Sequence, residues 1–313
     1  MQIKKLDGTL EDFDIKKLEK ALLRAGATRN VAGEIASHIE AVAKENQKGE
    51  DITTEFVYKL AFKQLKNISR AAALKFSLKR AILEIGPSGF PFEEFVAEIW
   101  RHQGYTAITG QIVYGSCVSH EVDVIAWKPG ELVMVEAKYH SDAASRTDLK
   151  TALYVKARYD DIKQQSFSLK SFDLSSIDKK ALEDMHAFER EAQHIEDTPH
   201  VIPGDMAQRL TEGWLITNTH FSDTAITYAK CNDLKLMSFE YPEMDSLQDK
   251  IFEYKLYPIT CLTTLTSGEK KELLSRYNIV LCQTLYKRSD ELKDMGFSKE
   301  KIFEILEEVG SLM

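Results

Sequence analysis

Two carboxylates and an amine stand close together in the middle of this sequence. Asp123 lies in Glu121-Val122-Asp123-Val124-Ile125-Ala126, and Glu136 and Lys138 lie in Val133-Met134-Val135-Glu136-Ala137-Lys138. Both stretches are apolar and β-branched and read as strands. Strand side chains repeat every two residues, so Glu136 and Lys138 point to one face. Pro129-Gly130 supplies a turn between the stretches, and a tight hairpin over it lays Asp123 on the strand beside Glu136. Such a set suits hydrolysis of a phosphodiester. A hard divalent ion, magnesium or manganese, would be held by Asp123, Glu136 and the main-chain carbonyl of Ala137. That ion would supply a hydroxide at neutral pH and neutralise the phosphate. Lys138 would orient or deprotonate the attacking water, or stabilise the developing charge. A mobile ammonium fits that task better than a guanidinium. An Asp, a Glu and a Lys on strands are also what a plain sheet surface carries, so the surrounding elements have to decide.

Those elements alternate helix and strand from residue 90 to about 240. Phe92, Phe95, Val96, Ile99 and Trp100 have helical spacing, and Gly104 ends that helix. Thr106 to Tyr114, Val122 to Trp127 and Leu132 to Ala137 read as strands, the last central because it is so rich in valine. A helix near 145–165 follows. Trp214 to Thr217, Ser222 to Lys230 and Leu234 to Phe239 read as strand, helix and strand, which implies a parallel pair with a right-handed crossover. Tyr241-Pro242 closes this domain. Ahead of it, Gly86-Pro87-Ser88-Gly89 breaks the chain. Residues 1–86 read as a short strand pair around Asp7-Gly8, a helix capped by Asp14, and helices near 28–47, 53–66 and 69–85. Residues 243–313 read as helical, with turns near Tyr257-Pro258, Ser267-Gly268 and Gly296.

The spacing of Asp123 from Glu136-Ala137-Lys138, across a short turn, resembles the PD-(D/E)xK nuclease superfamily. The leading helix Phe92-Glu93-Glu94-Phe95-Val96, ending at Gly104-Tyr105, is similar to the start of an Mrr-type restriction endonuclease domain. So is Ile216-Thr217-Asn218-Thr219-His220-Phe221-Ser222, with Ala225 and Tyr228-Ala229 after it. The resemblance covers about 90–240. It implies an α/β fold with a mixed-sheet, restriction-endonuclease-like core and an endonuclease that hydrolyses DNA. It also implies a role for a Glu on the first helix in holding metal, for which Glu93 is the better match and Glu94 the second. Many Mrr-type domains have Gln where Glu136 stands; the Glu here is the ordinary superfamily form. On the helix after the third strand, Lys156 and Arg158 are either phosphate contacts or a solvated face. Tyr139-His140 follow the catalytic strand and are either substrate contacts or, as is commoner at a strand end, structural or solvated, and His186, His194 and His200 lack a metal-ligand spacing and read as surface residues.

Residues 3–80 resemble the ATP-cone domain of ribonucleotide reductases through Ile3-Lys4-Lys5-Leu6-Asp7-Gly8 and Phe13-Asp14-Ile15-Lys16-Lys17-Leu18. A turn glycine beside lysines at a helix start favours an anion, through backbone N–H groups and the helix dipole. The resemblance implies ATP or dATP as an effector, with Lys5 and Lys17 on its phosphates and Lys4 and Lys16 beside them. The family often has Arg where Leu6 stands. There is no G-x-x-x-x-G-K-[ST] loop, so hydrolysis of the nucleotide is not expected. The stretch Leu262 to Leu274 is distantly similar to helix–hairpin–helix modules but lacks their glycines, and a packing or dimerisation role fits it equally.

Composition bounds these readings. The chain has 313 residues, 43% hydrophobic and 29% charged, a globular mixture with room for three domains: 1–86, 90–242 and 243–313. No run approaches the roughly 20 apolar residues of a membrane span. The N-terminus turns polar at once, and Cys117, Cys231, Cys261 and Cys282 are scattered without a C-x-x-C pair. A cytoplasmic protein without membrane association is expected. The net charge of −8 is unusual for a nucleic-acid enzyme. Residues 1–90 hold 16 Lys+Arg against 12 Asp+Glu, and residues 251–313 hold 9 against 10, so the excess acid lies in the middle. Part of it is the stretch from Glu183 to Asp197, and carboxylates that meet a bound cation are offset locally. The leading expectation is a DNA endonuclease regulated by nucleotide, in restriction or repair. The alternative is a nucleotide-responsive DNA-binding regulator that does not cut. ATP cones also occur on a repressor family that pairs them with a zinc ribbon, for which this chain lacks the cysteines. Homo-oligomerisation through the head is a third option.

Overall fold

The computed structural model describes residues 2–5, 8–46, 52–86, 90–128, 130–167 and 208–313. The acidic stretch 183–197 and His186, His194 and His200 lie outside the described residues. The chain forms two compact units, one made of Met1–Ile85 with Tyr257–Met313, the other of Gly86–Leu256.

The first unit opens with β1 (Gln2–Lys4) and β2 (Leu10–Asp12), an antiparallel pair in which Ile3 faces Glu11. Helices α1 (Ile15–Arg24), α2 (Arg29–Asn46), α3 (Thr54–Ile68), α4 (Arg70–Phe76) and α5 (Leu78–Leu83) follow. Leu18, Leu22, Ile35, Ile39, Ala61 and Leu65 form their common core, as the helical spacing of these apolar residues requires. The single helix expected over 69–85 is two. Ser77 Oγ donates to the Leu74 carbonyl at 2.7 Å, and a hydroxyl that bonds back to its own preceding turn interrupts the helix.

The second unit starts with α6 (Phe90–His102), then β3 (Thr106–Tyr114), β4 (Ser119–Lys128) and β5 (Glu131–Lys138). The two-residue strand β6 (Arg146–Thr147) leads into α7 (Leu149–Lys163). After β7 (Ser166–Phe167) and β8 (Gln208–Arg209) come β9 (Glu212–Thr217), β10 (His220–Phe221), α8 (Asp223–Cys231) and β11 (Lys235–Met237). The main sheet has the order β11-β9-β5-β4-β3. β4 runs antiparallel to both β3 and β5, while β5, β9 and β11 run parallel, so the fold is α/β with a mixed sheet. β5 lies at its centre. One core cluster joins Ile125, Trp127, Leu132 and Met134 of the sheet to Ala152, Val155, Tyr159 and Ile162 of α7 and Ala225 and Ala229 of α8. α6 lies against β3 and β4, with Phe92, Phe95, Val96 and Ile99 fully buried.

At Gly213 of β9 the Tyr159 ring of α7 packs directly against the strand. A Cβ built there would lie 2.6 Å from Cδ2 of the Tyr159 ring. Tyr159 is itself buried and donates its hydroxyl to the Thr211 carbonyl at 3.2 Å. Gly213→Ala should therefore cost about 1–3 kcal/mol of stability, the usual penalty for overpacking. Urea unfolding of the purified variant measures this, and an unshifted midpoint would refute the close approach.

The second unit does not close at Tyr241-Pro242. The chain continues into α9 (Leu247–Tyr254), which packs on α6, with the Tyr254 and His102 rings 6.0 Å apart. A capping box of Ser246 and Asp249 starts that helix. From Tyr257 the chain returns to the first unit through a 3-10 turn (Ile259–Cys261) and α10 (Ser267–Ser275), α11 (Cys282–Lys287), α12 (Glu291–Asp294) and α13 (Lys299–Gly310). Ser267-Gly268, expected as a turn, begins α10 because Thr266 and Glu269 form a capping box there. The Thr260 hydroxyl donates to the Ala81 carbonyl of α5 at 2.6 Å. Glu308 of α13, 0% exposed, accepts from the backbone amides and hydroxyls of both Thr263 and Thr264 and from Arg70 Nε of α4. These contacts tie the last helix to the loop before α10 and to the head.

Candidate active site

Asp123 occupies a break in the sheet. The β3–β4 register pairs Thr109 with Val124 and Gln111 with Val122 and passes over Gly110 and Asp123, and the β4–β5 ladder begins at Val124 with Val135. Gly110 has φ +62°, a left-handed conformation that a residue without Cβ adopts readily. Val122 and Ile125 join the same core cluster although they are three residues apart, so strand alternation slips at Asp123. The slip turns the Asp123 carboxylate toward β5, where Oδ2 accepts from the Ala137 amide at 2.7 Å. The hairpin expected from the turn at 129–130 thus brings Asp123 and the Glu136-Ala137-Lys138 segment together.

β5 is fixed on its other side by β9, with Glu136 opposite Leu215 and Lys138 opposite Thr217. Just past the strand, the His140 amide donates to Asn218 Oδ1 at 2.8 Å and Asn218 Nδ2 donates to the His140 carbonyl at 2.7 Å. The His140 ring meets Thr147 Oγ1 at 3.0 Å, and Tyr139 lies 5.9 Å from the Phe92 ring. Burial, with help from Lys138, lowers the His140 pKa below its ordinary value. These partners tie His140 and Tyr139 into the fold beside the end of β5. Lys138 ends β5 exposed.

Burial works against the charged forms of the carboxylates. Burial raises the pKa of Asp123, against the opposing pull of the Ala137 amide and Arg158. Glu136 is raised by burial and by the charge of Asp123, although Arg158 Nη1 donates to its Oε2 at 2.5 Å. Desolvation outweighs that ion pair. Glu93, in the first turn of α6, is pushed up to about 7 by burial and then by the charges of Asp123, Glu121 and Glu136. Glu93 therefore shares an electrostatic environment with the other two. Glu94, the second match, is spent elsewhere: it pairs with Arg101, which also holds Glu98 and the Ala107 carbonyl of β3. Glu121 was not singled out from sequence, although it stands two residues before Asp123, the spacing that signals a shared strand face. Lys156 pairs with Asp160 at 2.5 Å, while Arg158 turns inward to Glu136. Among the described residues no three His, Cys, Asp or Glu side chains form a cluster able to hold an ion by themselves.

In the head, Lys5 and Lys17 converge on one carboxylate. Both reach Glu11, Lys17 at 2.7 Å, and these two amines, Lys17 foremost, lower the Glu11 pKa to about 2. Asp14 caps α1 through the amides of Lys16 and Lys17 at 2.9 and 3.3 Å. Lys4 joins its amide to the Ile52 carbonyl at 2.7 Å. Glu11 was not foreseen: it lies opposite Ile3 across the hairpin, and its place between the lysines depends on that register.

Comparison with known proteins gives three family matches: an ATP cone domain over residues 1–81, a restriction endonuclease domain over 87–183, and an AF1548-like C-terminal domain over 257–313. A relative described as an uncharacterized protein of Archaeoglobus fulgidus is 28% identical over 219 residues, 70% of this chain and 99% of that protein. The crystal structure of a protein of unknown function, AF1548, shares 28% identity over 71% of this chain and 96% of its own, with a TM-score of 0.48. Among the described residues no helix is long and apolar enough to cross a membrane.

Proposed function

From a chain that carries an ATP-cone domain ahead of a restriction-endonuclease domain, we propose a magnesium- or manganese-dependent DNA endonuclease whose head binds ATP or dATP as an effector, acting in restriction or repair. The observation that supports this most is the break at Asp123, which sets two desolvated carboxylates, Asp123 and Glu136, around the Ala137 peptide with Lys138 beside them. Carboxylates raised together by burial favour a cation among them. Two carboxylates, the Ala137 carbonyl and water make the partial protein shell that magnesium takes, since it dehydrates reluctantly and completes its octahedron with water and substrate oxygens. Asp123 Oδ2 is engaged by the Ala137 amide, which leaves Oδ1 for the ion. When bound, the ion would supply a nucleophilic hydroxide and charge neutralisation at the phosphate.

The chain's own groups do the rest. The Asn218 clamp and the β9 ladder hold the end of β5, so Lys138 Nζ has a fixed origin from which to orient water or meet developing negative charge. Glu93 at the start of α6 adds a third carboxylate near the centre. In the head, a nucleotide phosphate would compete with Glu11 for Lys5 and Lys17, with Lys4 and Lys16 flanking.

The test is incubation of the purified full chain with supercoiled plasmid and magnesium or manganese, with and without ATP or dATP. Nicking or linearisation that needs the ion and changes with nucleotide is the expected result. DNA binding without cleavage under every ion would instead mark a nucleotide-responsive DNA-binding regulator.

A further inference from the structure

Among the described residues Arg158 is the one strongly buried cation at this centre, 7% exposed, and it comes from α7 and not from the strands that carry the sequence motif. Its Nη1 lies 2.5 Å from Glu136 Oε2, on a carboxylate that the nuclease reading gives to a divalent ion. Its Nε is buried and has no hydrogen-bond partner. Buried donors are nearly always satisfied, so an orphaned N–H on a guanidinium is a donor prepared for something else. The same guanidinium lies 5.2 Å from the ring of Tyr154, one turn earlier on α7 and 60% exposed. Lys150, also exposed, precedes Tyr154 by four residues, so Lys150, Tyr154 and Arg158 share one face of the helix. A guanidinium fork matches the oxygens of a phosphate diester, and an exposed ring beside it matches the sugar and base that a phosphate brings along.

We propose that Arg158 is a substrate-binding switch: it holds Glu136 in the ion-free protein and passes to a phosphate of the DNA once a divalent ion takes that carboxylate. The inference rests on the nuclease reading above. A guanidinium and a divalent ion compete for the lone pairs of one carboxylate, so each weakens the other's hold. DNA reverses the competition by offering the arginine another anion. Arg158 would thus offset part of the acidic charge before loading and add a contact to the substrate after it. A guanidinium that served only to brace α7 against β5 would compete with the ion in the same way but would add nothing to duplex binding.

The experiment uses the full chain as wild type, Arg158→Met and Arg158→Gln, the second retaining an amide donor to Glu136 in case the first fails to fold. Manganese binding is titrated by the electron paramagnetic resonance of the free ion. Binding of a fluorescent duplex is measured in calcium, which avoids turnover. Removing the arginine should tighten manganese binding about 5-fold, the scale of one screened charge pair. It should weaken duplex binding in calcium about 10-fold or more, the scale of one charge-assisted hydrogen bond. Unchanged or weaker manganese binding in a folded variant, or unchanged duplex binding, overturns the proposal. A wild type that binds no manganese overturns the nuclease centre as well. If Asp123→Asn abolishes manganese binding while both Arg158 variants leave it unaltered, the centre stands and only the role of Arg158 falls.

Discussion

A chain carrying Lys138→Ala should cleave DNA about 10²- to 10⁴-fold more slowly than the parent, the range a positioned proton-transfer or charge-stabilising group contributes. Its affinity for uncut duplex in calcium should stay within about 2-fold, since losing one exposed phosphate-range cation matters little to a whole interface. Lys138 is exposed at the end of β5, so its removal should leave folding intact. Lys138→Arg should not restore cutting, because a planar guanidinium cannot replace a compact ammonium near a crowded anionic centre. Single-turnover cleavage beside anisotropy binding separates the two effects. Cutting at the parental rate would remove Lys138 from the mechanism. The same assay on Asp123→Asn should show a loss at least as large, with manganese binding lost as well.

The second large effect is structural. Glu308→Ala should destabilise the first unit by about 3–5 kcal/mol, the cost of leaving one side of a buried charged network unpaired. The variant strands the amides of Thr263 and Thr264, at 2.9 Å each from the lost carboxylate, together with their hydroxyls and Arg70. Arg70 is partly exposed and can recover water, so the threonine donors carry most of the loss. Burial by itself would raise the Glu308 pKa, but the hydroxyls and amides of the two threonines more than offset this and hold it below the usual carboxylate value. A depressed native pKa gives stability that is complete above the unfolded value and drains away as pH falls through the native one. Wild-type stability attributable to Glu308 should therefore be full at neutral pH and fall below about pH 4. Urea midpoints collected from pH 7 to pH 3 should be flatter for Glu308→Gln than for the wild type. Parallel curves would refute the network's contribution.

Much of the restriction-endonuclease-like unit was legible because its signals are local. The span of β3 is the one the sequence reads as a strand, and the turn signal Pro129-Gly130 makes β4 and β5 neighbours. Hence Asp123 and Glu136-Ala137-Lys138 could be brought together on paper. The slip at Asp123 was not readable, because it depends on how Gly110 opens the opposite strand. Nor was the partner of Arg158: the sequence offers it as a phosphate contact or part of a solvated face, and only the packed fold turns it inward to Glu136. In the head, the lysines and the Asp14 cap were visible, while Glu11 becomes their counter-ion only once β1 and β2 are in register. The end of the second unit at Leu256, and the return of 257–313 to the first, rest on contacts such as Arg70 with Glu308 between residues far apart in sequence. Periodicity carries no information at that range.

That return has a practical meaning for anyone who wishes to dissect the protein. A fragment cut at residue 85 keeps every motif of the ATP-cone head yet discards Glu308, the partner of Arg70, and Thr260, whose hydroxyl bonds the Ala81 carbonyl. Such a fragment would test a broken object. The cleaner surgery is excision: remove 86–256 and splice 85 to 257 through a flexible bridge, which leaves both contributing segments in one molecule. The excised middle, by contrast, owns its whole sheet and can be produced as a single contiguous piece.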